Sequence, residues 1–259
     1  MKKIIFLLLI TSGMSTYAQT PAPVKDLYTV NTVTPKKGQK MAFEAAWKTH
    51  VAKFHKEDKI NVYEIITGPN AGSFHLVSTA RSFADFDMQR PDANAHSMDL
   101  DKNFFPYLEQ TNNGTYRFID SCSWNPQTEA ESFSVSVDHL KQGLNQGDYR
   151  REISRNNKIQ KLAANPMMAN FSWAYYEQLW DGSDQVVVNI RNLKEGFKSL
   201  QAGFFGPPAP PVAGAPTFRD RYTKEYGYDA WDARTKLFDG AVVKTEQYLM
   251  RWRKDLSSQ

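Results

Sequence analysis

The stretch VYEIITGPNAGSFHLVSTARSFADFD, Val62–Asp87, holds two runs of strand-forming residues joined by a turn rich in Gly and Asn. Ser82 follows, a residue whose side chain suits the opening of a helix, with Asp85 in the first turn. WAYYEQLWDGSDQVVVNIRNLKEGF, Trp173–Phe197, reads the same way: strand, turn at DGSD, strand, then Asn192 as a cap for the next helix. One chain therefore builds one unit twice, and the segments around each hairpin agree with that.

Before the first hairpin, DLYTVNTV (Asp26–Val33) alternates as a strand, and TPKKG breaks it. QKMAFEAAWKTHVAKFHKED then places Phe43, Trp47, Val51 and Phe54 on one helical stripe. After the hairpin, residues 83–110 read as helical pieces interrupted at Pro91 and Pro106, and GTYRFIDSCSW closes the half as a strand. The order is βαββαβ. In the second half SFSVSVDHL alternates as a strand, residues 146–164 read as a helix, and YDAWDARTKLF and AVVKTEQYLMRW follow the hairpin as helix and strand. Arg81 and Arg191 sit at matching points 110 residues apart, whereas Tyr116 and Val243 open the closing strands 127 apart. The 17-residue excess matches GFFGPPAPPVAGAPTF, a Pro- and Gly-rich insertion at 203–218.

The chain of 259 residues has 41% hydrophobic and 23% charged residues, a globular composition. MKKIIFLLLITSGMSTYAQT reads as a secretory signal peptide over residues 1–18: Lys2 and Lys3, a short apolar run, and Thr16 and Ala18 before the cleavage point. The run is far shorter than the ~20 residues of a membrane span. Removing the two lysines takes the formal charge from +4 to +2, which makes no electrostatic case for nucleic acid. The expected location is the periplasm or the exterior. Cys122 is the only cysteine, so no internal disulfide can form; within YRFIDSCSW it reads as a small buried strand residue. The expected halves are 19–125 and 126–259.

A βαββαβ unit is a ferredoxin-like arrangement, an antiparallel sheet with both helices on one face. Two such units can pack sheet to sheet and bury both open faces within one molecule. The fold class expected is α+β: two ferredoxin-like halves forming a single-chain barrel. The element order, the hairpins running into ARSFADF and IRNLKEGF, and the long amphipathic first helix resemble the dimeric α+β barrel superfamily, in its tandem, NIPSNAP-like form. That superfamily includes haem-degrading and quinol-forming monooxygenases, haem peroxidases and proteins without activity, so the fold leaves function open. By resemblance to the haem-degrading members, Asn31 on the first strand, Phe86 in a position those members fill with Trp, and His96 ten residues on would form a site, with His96 on a haem iron.

Other residues carry bland readings beside functional ones. His50 shares the apolar stripe of the first helix and reads as a packed, hydrogen-bonded histidine. His55 lies among Lys53, Lys56 and Glu57 and reads as exposed. Residues i and i+5 of a helix do not share a face, so no metal site is expected from that pair. His75 and His139 could point into the space between the sheets, where Asn31, Ser136 and Asp138 could complete a polar lining. Trp173, Tyr175, Tyr176 and Trp180 concentrate on one strand as core or as the wall of an apolar ligand pocket. No phosphate-cradling loop, Cys/His cluster or serine elbow is present. The leading expectation is an exported protein that binds a small apolar ligand without catalysis and without a cofactor. It would ligate through Asn31, Phe86, His96, Trp173 and Tyr175. The alternatives are a haem-binding or haem-degrading oxidoreductase and a protein-interaction module using the Pro-rich loop. The chain would be a monomer or a further homodimer.

Overall fold

The computed structural model describes residues 23–126, 130–162, 172–180, 185–200 and 214–258. The leader, the DGSD turn and most of the Pro-rich insertion lie outside them. The first half runs β1 (Leu27–Pro35), α1 (Lys40–Phe54), β2 (Ile60–Ile65), β3 (Phe74–Ser78), α2 (Ala93–Asn103) and β4 (Leu108–Phe118). The second runs β5 (Ser132–Leu140), α3 (Gln146–Leu162), β6 (Trp173–Trp180), β7 (Gln185–Asn192), α4 (Phe218–Tyr226), α5 (Tyr228–Phe238) and β8 (Val242–Trp252). The two hairpins are β2–β3 and β6–β7.

The strands form one closed antiparallel barrel in the order β1-β3-β2-β8-β5-β7-β6-β4. Each half contributes a four-stranded sheet with its first strand in the middle. The halves do more than stack. They join edge to edge, β2 to β8 over Tyr63–Ile65 and Met250–Trp252, and β4 to β6 over Thr115–Phe118 and Tyr176–Trp180. Closure leaves no unpaired edge, which removes the liability an open sheet carries. At the first seam the hairpin turn presses on β8: a Cβ on Gly68 would lie 3.0 Å from Tyr248 Cβ, and its φ of +90 is left-handed. Only glycine meets both demands without strain.

Inside the barrel Phe133, Val135, Val186, Val188 and Met250 pack with Tyr63, Tyr116, Tyr176, Tyr248 and Trp252. His75 is in this layer, its Nδ1 2.8 Å from Thr32 Oγ1 and its Nε2 3.1 Å from Tyr248 Oη. Asn31, by contrast, shares the β1 face of Val33, which packs toward α1, and Ser136 and Asp138 alternate away from the interior residues Val135 and Val137. The polar lining expected from Asn31, Ser136, Asp138 and His75 does not assemble, because period-2 alternation puts His75 on the opposite face.

Outside the barrel, α1 buries Phe43, Trp47, His50, Val51 and Phe54 against Val33, Val62, Phe74, Leu76 and Phe104. Each such aromatic or aliphatic side chain contributes about 1.5–3 kcal/mol by burial. The last residues of the chain strap this helix down: Trp47 Nε1 donates to Leu256 O at 2.9 Å, and Val62 N donates to Ser257 Oγ at 3.0 Å. On the other side α3 covers Tyr175, Val187 and Leu140.

Some local expectations are corrected. Ser82 and Asp85 do form a capping box, but the helix it opens is one short 3-10 turn, Phe83–Phe86. Cys122 is in a 3-10 turn, Asp120–Cys122, and not in a strand; it is buried, and burial pushes its thiol up to about 11, so it is unreactive. Asn192 ends β7 and hydrogen-bonds Ser172 Oγ at 3.1 Å; a 3-10 turn over Gly196–Leu200 follows rather than a helix capped by it. Helix α4 stands between the Pro-rich insertion and YDAWDARTKLF, where the sequence reading has no element. Its Thr217–Asp220 capping box is the signal that marks it.

Candidate metal centre

Helices α1 and α2 lie side by side on the outer face of the first sheet, and three of the chain's five histidines meet between them. His50 comes from the buried stripe of α1. His55 caps that helix with φ −117 and ψ 42, so the chain has already left the helical path and the ring swings back over the end of α1. His96 comes from α2, which begins after Pro91 has broken the preceding segment. His50 and His55 are buried and His96 is half-buried.

The three rings turn the same atom toward one another. His96 Nε2 is 3.1 Å from His50 Nε2 and 3.2 Å from His55 Nε2. The opposite nitrogens decide the protonation. His50 Nδ1 is 2.8 Å from Asp99 Oδ2, and bonding to His50 holds the Asp99 carboxyl below its usual range, so the carboxylate accepts and Nδ1 carries the proton. His55 Nδ1 is 3.0 Å from the Asp58 carbonyl, which can only accept, so that Nδ1 carries the proton as well. Both neutral rings therefore aim bare Nε2 lone pairs at His96. His96 can answer two acceptors with at most one Nε2–H.

The surroundings keep the rings neutral. Burial lowers all three pKa values, His96 to about 4, and Arg90 adds to the effect on each. Trp47 stacks on His50 at 5.5 Å, and Phe54 meets the edge of His96 at 5.2 Å, giving the cluster an apolar backing. Arg90 fixes the loop beneath His55: its guanidinium donates to Phe54 O at 2.9 Å and to Asp58 Oδ2 at 3.3 Å, while Arg81 also holds the Asp58 carboxylate at 2.6 Å.

Geometry matches a divalent ion. Imidazole nitrogens at 2.0–2.1 Å from a tetrahedral zinc are separated by about 3.3–3.4 Å. The two separations from His96, 3.1 and 3.2 Å, fall just below that spacing, and all three donor atoms lie within 4.8 Å of one another. A ring nitrogen facing the donors and an Nδ1–H on a carboxylate or carbonyl is the usual support for a metal-bound histidine. The sequence argument against a metal site treated His55 as exposed and as part of a continuous helix; it is buried and stands beyond the helix end.

The resemblance-based site is not brought together. Among the described residues nothing hydrogen-bonds or stacks Asn31 or Phe86 against His96, and Phe86 is 43% exposed on its 3-10 turn. His96 Nε2, the atom an imidazole offers to haem iron, faces two other nitrogens at hydrogen-bond distance, which leaves no space for a macrocycle there. These residues do not fit haem. Trp173 donates from Nε1 to Cys122 O at 3.1 Å and stacks on Trp124 at 5.6 Å. Tyr175 is fully buried under α3, and Tyr176 meets Tyr28 edge-on at 5.6 Å. These three are packing residues.

No family model matches the sequence, and no curated protein is recognisably similar to it. Solved structures resemble it distantly. An anthrone oxidase-like protein shares 12% identity over 88% of this chain and 94% of its own, with a TM-score of 0.49. A proposed monooxygenase from Lactobacillus acidophilus shares 8% identity over 88% and 94%, with the same TM-score of 0.49. A chlorite dismutase variant from Candidatus Nitrospira defluvii shares 9% over 88% and 92%, at 0.49. No residue role or activity is transferred at such values. The strand order itself shows the fold: two four-stranded antiparallel sheets with outer helices, closed by a single chain into one eight-stranded α+β barrel.

Proposed function

We propose that this protein binds a divalent transition-metal ion through His50, His55 and His96. The observation that carries the reading is the convergence of Nε2 atoms whose rings are held in the metal-binding tautomer by Asp99 and the Asp58 carbonyl. Three neutral imidazoles suit zinc, cobalt, nickel or copper; magnesium and calcium prefer oxygen. In this reading the barrel is the scaffold, and the chemistry belongs to the helical layer outside it. The lysine-led apolar leader supports an exported protein, in which histidine ligands keep their chemistry where thiols would be oxidised.

Calorimetric titration of chelator-treated protein with zinc tests this. One ion should bind per chain, and binding should disappear in His96→Ala and His50→Ala with the circular dichroism spectrum kept. Absence of binding, or binding unchanged in both variants, overturns the proposal.

A further inference from the structure

We infer that the fourth position of this centre is open and takes a small anionic ligand, so that the bound ion is a Lewis acid and not a closed structural staple. The inference rests on the metal reading above. It stands first on the donor inventory. Among the described residues only three metal-ligating side chains converge, and a zinc with three protein ligands leaves one vertex for water or a ligand. The carboxylates close enough to have supplied a fourth are committed elsewhere. Asp99 uses Oδ2 on His50 Nδ1, and its Oδ1 accepts from Asn103 Nδ2 at 3.1 Å and faces Lys53 Nζ at 3.4 Å. Asp58 is held by Arg81 and Arg90, and Asp92 by Arg90 at 3.1 Å.

The second ground is the shape of the surroundings. Trp47, Phe54 and the body of α1 close off His50, and His50 and His55 are only 1% and 7% exposed. The half-buried His96 forms the remaining wall, so the unfilled vertex is reached from its side. The third ground is charge. Three neutral imidazoles bring no charge to the ion, and of the nearby carboxylates only Asp99 reaches a ligand, through His50 Nδ1; Arg90 and Lys53 are paired with Asp58, Asp92 and Asp99. Attraction in a partly desolvated site then favours an anion over a neutral ligand. A small monodentate donor such as azide, thiocyanate, formate or hydroxide has the size and charge for that vertex.

The test uses the full chain loaded with cobalt(II), whose visible d–d bands report coordination. Titration with azide should shift the bands to saturation at one azide per cobalt, and thiocyanate should compete. His96→Gln should show neither the cobalt bands nor the azide response while its circular dichroism stays native. Tetrahedral cobalt bands that azide and thiocyanate leave unmoved would overturn the open position and leave metal binding standing. Absence of cobalt bands in the unaltered protein would remove the metal reading and this inference with it.

Discussion

The two halves of the barrel solve the same packing problem with opposite chemistry. Between α1 and α2 three histidine Nε2 atoms face one another, at least two of them bare. Between α3 and α4, in the corresponding layer of the second half, opposite charges meet. Glu152 is 3% exposed, accepts from Tyr222 Oη and Arg155 Nη1, the latter at 2.7 Å, and has Arg151 nearby. Arg234 of α5 stacks over Tyr222, Trp231, Phe218 and Phe238 at 5.0–5.7 Å and donates to Asn156 Oδ1 at 2.9 Å. That network is complete in itself, with an acceptor for the donors that matter. The histidine cluster has more facing acceptors than donors to satisfy them. A duplicated unit thus shows what the helical layer needs for stability, and what one copy holds beyond that need.

The contrast can be broken or sharpened by experiment. The largest effect is expected in the second half: Tyr222→Ala removes a fully buried ring and leaves Glu152 short of a partner, a loss of about 3–5 kcal/mol in denaturant unfolding. A loss below about 1 kcal/mol would deny that this network stabilises the fold. In the first half the larger effect should come from ligand rather than from mutation. Zinc at a hundred times its dissociation constant should add about 2.7 kcal/mol to stability, and His96→Ala should abolish the gain. Zinc stabilisation that persists in His96→Ala but vanishes in Glu152→Gln would reverse the comparison. Next, Asp99→Asn should weaken metal binding 10–100-fold, with little change in the unfolding of the metal-free protein, because the carboxylate orients His50.

The remaining effect concerns acid. His75 is deep in the barrel, and burial holds it at about 4 in the folded protein, below the usual histidine value near 6.5. The unfolded chain therefore binds the proton first, so stability is full above about 6.5 and falls as the pH drops toward 4. His75→Gln, which can keep bonds to Thr32 and Tyr248, should make that fall between pH 6.5 and 4 shallower in urea denaturation, the share of His96 remaining. An unchanged slope would remove His75 from the account.

The fold was legible because strands announce themselves locally. SFSVSVDHL and the paired hairpins carry period-2 alternation and turn residues, and β5 falls on the residues that alternation marks. Counting from Arg81 to Arg191 exposed the duplication, which alone suggests a barrel. The candidate site was hidden for the opposite reason: it depends on where a helix stops. His55 looks exposed among lysines until the chain is seen to leave the helix at that residue, and His96 looks solvated in NAHSMDLD until α2 is laid beside α1. The available signal was the helix pairing itself. In a βαββαβ unit both helices lie on one face, so His50, His55 and His96, with Asp99 one turn after His96, could have been placed as neighbours. Likeness to haem-degrading proteins groups His96 with Asn31 and Phe86, whereas its hydrogen-bond partners in the structure are His50 and His55.

The seam between β2 and β8 has a consequence for how the molecule is made. Tyr63 pairs with Trp252, 189 residues further along the chain. Until that last strand has left the ribosome, the first sheet stands with its β2 border unpaired and aromatic Tyr63 uncovered. Such an intermediate invites association between nascent chains, and long-range pairing makes its closure slow. Production of this protein should therefore be governed by the survival of a half-finished barrel, and a stop codon a few residues before Trp252 should harm yield more than any single change in the histidine cluster.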